Sequence, residues 1–86
     1  MSVLVDSRGR RCPQPVIDLA RAAAGQPAGT ELEVLSTDPA ARHDVPAWCR
    51  LRGHELVAVT EVEPGTWSLV VRLRGHDPAR GRARDA

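Results

Sequence analysis

Two prolines separated by one residue, Pro13 and Pro15, constrain this chain more than any other feature. Each fixes its own φ and removes a backbone N–H donor. Such a pair is excluded from a central strand and from a helix interior. It suits the first turn of a helix, where the N–H groups have no intrahelical partner. Cys12-Pro13-Gln14-Pro15 therefore reads as a helix start, with Cys12 at the N-cap and Pro13 at the first helical position. Val16, Ile17, Leu19, Ala20, Ala23 and Ala24 continue it as an apolar face at helical spacing, and Gly25 stops it.

The rest of the chain arranges itself around that helix. Ser2 to Asp6 reads as a first strand, and Ser7 to Arg11 as a turn centred on Gly9. Thr30 to Ser36 alternates as a second strand, with Leu32, Val34 and Ser36 on one side. Asp38-Pro39 has the chemistry of a helix N-terminus. Ala41, Val45, Trp48, Cys49 and Arg52 then share a helical stripe. Pro46 interrupts it, so the pattern predicts a loose turn over Ala40–His43 and a firm helix capped by Asp44 and ended by Gly53. His54–Glu63 and Trp67–Leu73 alternate on either side of Pro64-Gly65, which predicts an antiparallel hairpin.

The expected order is β-α-β-α-β-β. Each helix can bury only one stripe, so both should pack on the same face of a four-stranded mixed sheet. The first crossover should be parallel. This is an α+β fold, a two-layer α/β sandwich. It should occupy residues 1–74, with residues 75–86, polar and rich in Gly, Pro and Arg, as a disordered basic tail.

Composition narrows the function. The 86 residues make one small domain with no room for an extended cleft. Twelve basic residues, every one an arginine, nearly balance eleven acids, and the formal net charge of +1 argues against direct nucleic-acid binding. No apolar run approaches the roughly 18 residues that a membrane span needs. The N-terminus lacks the features of a signal peptide, which points to the cytoplasm.

Cys12 is the one residue placed for chemistry. A cysteine at a helix N-terminus has a lowered pKa, and the thiolate is the nucleophile. Pro13 and Pro15 stiffen the site, while Gln14 and Val16 keep N–H groups that can face the sulfur. Arg8, Arg10 and Arg11 add positive charge just before it, which should favour a thiolate or persulfide anion. No base adjoins it in sequence. Cys49 lies on an apolar stripe and reads as a core residue. Asp6, at the end of the first strand, should bond to amides of the following turn, and His54 reads as a packing or surface residue. The spacing of Cys12, Cys49, His43 and His54 does not suit zinc, and no cofactor is called for. Two functions fit best, a carrier that takes a group onto Cys12 or a regulatory module in which Cys12 senses oxidants; RNA binding through the Arg-rich tail is a third and weaker reading.

Asp6-x-Arg8-Gly9-x-Arg11-Cys12-Pro13-x-Pro15-Val16 resembles the signature of the TusA/SirA-like sulfur carrier family. A second block agrees: Thr37-Asp38-Pro39, then Asp44-Val45-Pro46-x-Trp48-Cys49, then Gly53-His54-Glu55-Leu56-Val57. The resemblance implies that Cys12 accepts sulfane sulfur as a persulfide and relays it to a partner protein. Expected donors are cysteine desulfurases or rhodanese-type enzymes; expected acceptors serve tRNA thiolation, cofactor biosynthesis or sulfur metabolism. It implies a sulfurtransferase-type carrier rather than a self-sufficient catalyst. Arg10 departs from the family pattern, which usually has an apolar residue there.

Overall fold

The computed structural model describes residues 2–74. The proposed tail, residues 75–86, lies outside the described residues. The elements are β1 (Ser2–Ser7), α1 (Gln14–Ala23), β2 (Glu31–Ser36), α2 (Ala41–Arg52), β3 (Glu55–Glu63) and β4 (Thr66–Arg72). They form one four-stranded sheet in the order β1-β2-β4-β3. β1 and β2 are parallel; β4 is antiparallel to both of its neighbours, β2 and β3. This is the expected mixed sheet with its parallel first crossover and terminal hairpin.

Alternation on the central strands decides where the helices lie. Leu32 pairs with Val71 and Val34 with Leu69, and all four are fully buried. Leu19 of α1 and Ala41, Val45 and Cys49 of α2 close over them. The two helices touch each other as well as the sheet, so they share one face. The other face carries a polar ladder instead. Arg72 of β4 sits between Glu31 of β2, at 2.7 Å, and Glu55 of β3, at 3.2 Å. The Ser68 hydroxyl donates to Glu33 at 2.6 Å.

Four local readings need correction. Helix α1 starts at Gln14, with Pro13 rather than Cys12 at its N-cap, and the Cys12–Pro13 peptide bond is cis. Ile17 is exposed rather than part of the buried stripe. It lies two residues from the fully buried Leu19, about 200° around a helix of 3.6 residues per turn. Helix α2 begins at Ala41, not near Asp44, and Pro46 lies inside it. The amides of Ala41, Arg42 and His43 each bond three residues back, to Asp38, Pro39 and Ala40, so the turn at Asp38-Pro39 winds straight into the helix. An interior proline costs a helix about 3 kcal/mol, and here complete burial of Ala41 and Val45 opposes that cost.

The alternation expected along β3 also fails, because its register shifts between Leu56 and Ala58 and again between Glu61 and Glu63. Val57 and Val62 are the extra residues, and both are exposed. The ends of α2 and of the hairpin are better predicted. Gly53 ends α2 at φ 78°, in the left-handed region that glycine enters without strain.

The core reading is tested by truncation. Leu32→Ala is expected to lower stability by about 2–5 kcal/mol in urea unfolding. Leu4→Ala, at a side chain 59% exposed on the opposite face of the sheet, is expected to stay within about 0.5 kcal/mol of the parent.

Candidate functional site

Cys12 stands between the β1–α1 turn and the start of α1, half-buried and packed against the edge of the core. The turn before it is closed by Arg10 N–H donating to the Ser7 carbonyl at 3.1 Å. Gly9 is its third residue, at φ 81°, and its N–H donates to Thr37 Oγ1 at 2.8 Å. Cys12 N–H donates to Asp38 Oδ2 at 2.8 Å. The other oxygen of that carboxylate, Oδ1, accepts from Ala40 N–H at 2.9 Å. The Thr37-Asp38 pair leading into α2 thus holds the Cys12 segment at two points. The carboxyl of Asp38 lies below the usual carboxylate range, because the amides of Cys12 and Ala40 donate to it and Arg11 lies nearby.

A second network holds the segment from the other side. Asp18 of α1 accepts from the buried Ser7 hydroxyl and, at 2.8 Å, from Gln14 Nε2. Arg10 Nε lies 3.7 Å from the same carboxylate. Ser7, Gln14 and Arg10 together hold the Asp18 carboxyl low, the two hydrogen bonds most strongly. Pro15 is fully buried, so its ring fills the core beneath the helix start as well as fixing the backbone. Pro13 is exposed beside Cys12.

The expected environment of the sulfur is reversed. The Gln14 N–H, assigned from sequence to the sulfur, donates to the Arg11 carbonyl at 2.8 Å. The arginines are largely engaged elsewhere. Arg8 makes a two-pronged pair with Asp6, at 2.8 and 2.7 Å, and Arg10 leans on Asp18. With Arg8 beside it, its side chain contributing most, the Asp6 carboxyl is lowered to about 2. Asp6 also accepts the Arg8 amide, which is the turn bond read from the sequence. Burial pushes the Cys12 thiol up to about 11, and the negative charges of Asp44 and Asp38 act in the same direction. This setting favours the thiol form of Cys12 over the thiolate.

The remaining candidates fall where packing puts them. Cys49 is 2% exposed, and burial pushes its thiol up to about 11. A buried neutral thiol of this kind is inert. His54 lies beside the Trp48 ring, with centroids 5.1 Å apart, and its Nδ1 accepts from Arg74 N–H. Beside the Cys12 turn, Gly9, Arg10, Arg11, Thr37, Asp38 and Pro39 line a shallow groove. Asp38 and Asp44 were legible only as helix caps. The Thr-Asp-Pro run signals a carboxylate at a helix entrance, but nothing local to it says that the same carboxylate reaches back 26 residues to Cys12.

The fold is a two-layer α+β sandwich that presents a partly exposed cysteine on an anchored turn before a proline-started helix. The family model for sulfurtransferase TusA matches residues 3–73, and the chain belongs to that family. Among its relatives is the sulfur carrier protein TusA of Pseudomonas syringae pv. syringae (strain B728a), 43% identical over 70 residues that cover 81% of this chain and 82% of the relative. Another is the sulfur carrier protein TusA of Pseudomonas savastanoi pv. phaseolicola (strain 1448A / Race 6), 39% identical over 74 residues, covering 86% of this chain and 87% of the relative.

The anchor on Cys12 predicts a measurable protection. Because the Asp38 carboxyl is lowered in the folded protein, its contribution is present above the ordinary carboxylate range and is lost as pH falls through the lowered value. Hydrogen exchange followed by NMR is expected to show the Cys12 amide protected at neutral pH. Protection should decline only in acid, and Asp38→Ala should remove it at every pH. An amide equally protected in that variant would show that the bond to Asp38 does not hold the turn.

Proposed function

We propose that this TusA-family sulfur carrier works through Cys12, which accepts sulfane sulfur as a persulfide from one protein and hands it to another. The observation that carries the reading is Cys12 itself. The residue is partly exposed, while its backbone is tied to Asp38 and its turn is held through Gly9 and braced through Ser7, Gln14 and Asp18. A carrier needs a sulfur that a partner's active site can reach on a segment that does not yield when docked. Cys49, sealed in the core, cannot serve.

In this reading Pro13 and Pro15 give the helix start its stiffness, and Gln14 contributes through its side-chain bond to Asp18. Arg8 and Arg11 shape the rim of the site: Arg8 through its pair with Asp6, Arg11 through its exposure beside the sulfur. Protein partners follow from the carrier role. A cysteine desulfurase or rhodanese-type enzyme, whose own cysteine persulfide supplies the sulfur, is the proposed donor. The proposed acceptors are proteins of tRNA thiolation, cofactor biosynthesis or sulfur metabolism. No described helix is long and apolar enough to cross a membrane, and the cytoplasm, where thiols are kept reduced, is the proposed setting.

Incubation of the full chain with a persulfide-loaded donor, followed by intact mass, is the test. A gain of one sulfur atom, mapped to the Cys12 peptide, is expected. Cys12→Ser should abolish the gain and Cys49→Ala should keep it. A sulfur gained equally by Cys12→Ser, or by no variant with any persulfide donor, would overturn the assignment.

A further inference from the structure

The small net charge conceals a division between the two layers. The helices and the turns beside them, residues 9–29 and 37–54, carry six arginines against three acids, a net +3. The strands and the hairpin, residues 2–8, 30–36 and 55–74, carry three arginines against six acids, a net −3. The arginines of the two layers also keep different company. On the sheet side each is paired: Arg8 with Asp6, Arg72 with Glu31 and Glu55, Arg74 with Glu55. On the helical side only Arg10 is, with Asp18. Arg11, Arg21, Arg42, Arg50 and Arg52 are exposed and make no ion pair among the described residues. The acids of that layer do not offset them. Asp18 also serves Ser7 and Gln14, Asp38 accepts two amides, and Asp44 is half-buried.

Helix stability explains part of this surplus. Arg21 lies in the last turn of α1, and Arg50 and Arg52 in the last turn of α2, where cations complement the helix dipole. Arg11 and Arg42 lie at the opposite ends. Arg11 precedes α1 and Arg42 is the second residue of α2, where the same dipole disfavours a cation. Both belong to the Cys12 end of the layer. Arg11 adjoins Cys12, and Arg42 closely follows Ala40, whose amide shares the Asp38 carboxylate with the Cys12 amide. Arg42 is also aimed: its guanidinium stands 4.3 Å from the centroid of the Trp67 ring, which orients it and neutralises none of its charge.

We infer that the outer face of the helical layer is a docking surface for a partner protein that presents carboxylates to it, with Arg11 and Arg42 beside Cys12. The inference rests on the carrier reading, in which a protein must bring its own cysteine to Cys12. The two helices touch, so their outer faces make one surface. At 1.5 Å per residue it runs about 15–18 Å from the Cys12 end. An acidic partner is drawn to this face and repelled by the sheet side, so the field turns the carrier before contact is made. Repulsion from the wrong face contributes to selectivity as attraction to the right one does. A nucleic acid fits less well. Proteins that bind single strands combine basic grooves with aromatic rings on which bases stack. This chain has no Phe or Tyr, both tryptophans are half-buried, and Arg42 covers a face of Trp67.

The test involves no sulfur transfer, so its failure is distinguishable from failure of the carrier reading, which the mass experiment decides. A deca-glutamate peptide is titrated into the isotope-labelled full chain, and amide and arginine side-chain resonances are followed by NMR. Shifts are expected at Arg11, Arg42 and the exposed residues of both helices, and not on β1 or β3. Raising NaCl from about 10 mM to about 100 mM shortens the screening length from about 30 Å to about 10 Å and should weaken binding several-fold. The double variant Arg11→Gln, Arg42→Gln should bind about tenfold more weakly, as expected for two exposed ion pairs lost. Arg74→Gln, on the sheet side, should bind like the parent. A folded double variant that binds as tightly as the parent would overturn the inference. So would shifts confined to the sheet, or none at the lowest salt, and the parent alone decides this if the double variant fails to fold. Tighter binding of a uridine decanucleotide of matching charge would overturn it too, and would assign the face to nucleic acid.

Discussion

The carboxylate of Asp38 is the constraint on which the site depends. Its two oxygens serve two chain segments, one taking the amide of Cys12 and the other that of Ala40. Hydrogen bonds to an ionised carboxylate are stronger than neutral ones and more directional than packing. Through this one group the turn before α1 inherits the position of α2. Helix α2 in turn inherits its position from the sheet, because Ala41, Val45 and Cys49 have nowhere else to be buried. The position of Cys12 is therefore set by the hydrophobic core, although the residue stands at its rim.

The second network works in the same way with different chemistry. Ser7 ends β1 with a fully buried side chain, and its hydroxyl must find a partner there. Asp18 supplies it and also gathers Gln14 and Arg10. Arg10 is accommodated by that carboxylate rather than by packing. The turn thus lies between two carboxylates, Asp18 on α1 and Asp38 in the connection that leads into α2.

Most of the fold was legible because it rests on local rules. Proline at a helix entrance, glycine at the end of α2, period-two alternation in β2 and β4 and the Pro-Gly hairpin turn each act within a few residues. The parts that were not legible depend on distant neighbours. Cys12 reads locally as a helix cap among arginines, and that reading predicts a thiolate. In space Arg8 and Arg10 turn to Asp6 and Asp18, while Asp38 takes the Cys12 amide and burial raises the thiol. Nearness along the chain misled because long arginine side chains reach the closest available carboxylate. Pro46 misled for a related reason: a cost that breaks an isolated helix is tolerated where the stripe around it is buried. In β3, two extra residues shifted the phase of an alternation whose composition gave no sign of them.

Those register shifts bear on the company this protein can keep. β3 is an edge strand nine residues long, with Val57, Val59 and Val62 exposed. A flat apolar edge of that length would offer its unpaired amides and carbonyls to any other extended chain, including its own copies. Each bulge breaks the even row of donors and acceptors and adds twist, so an incoming strand finds no run of matching groups. A protein whose work is repeated brief encounters must be sticky at one place only. The irregular edge keeps edge-to-edge adhesion from competing with the encounters of a sulfur carrier.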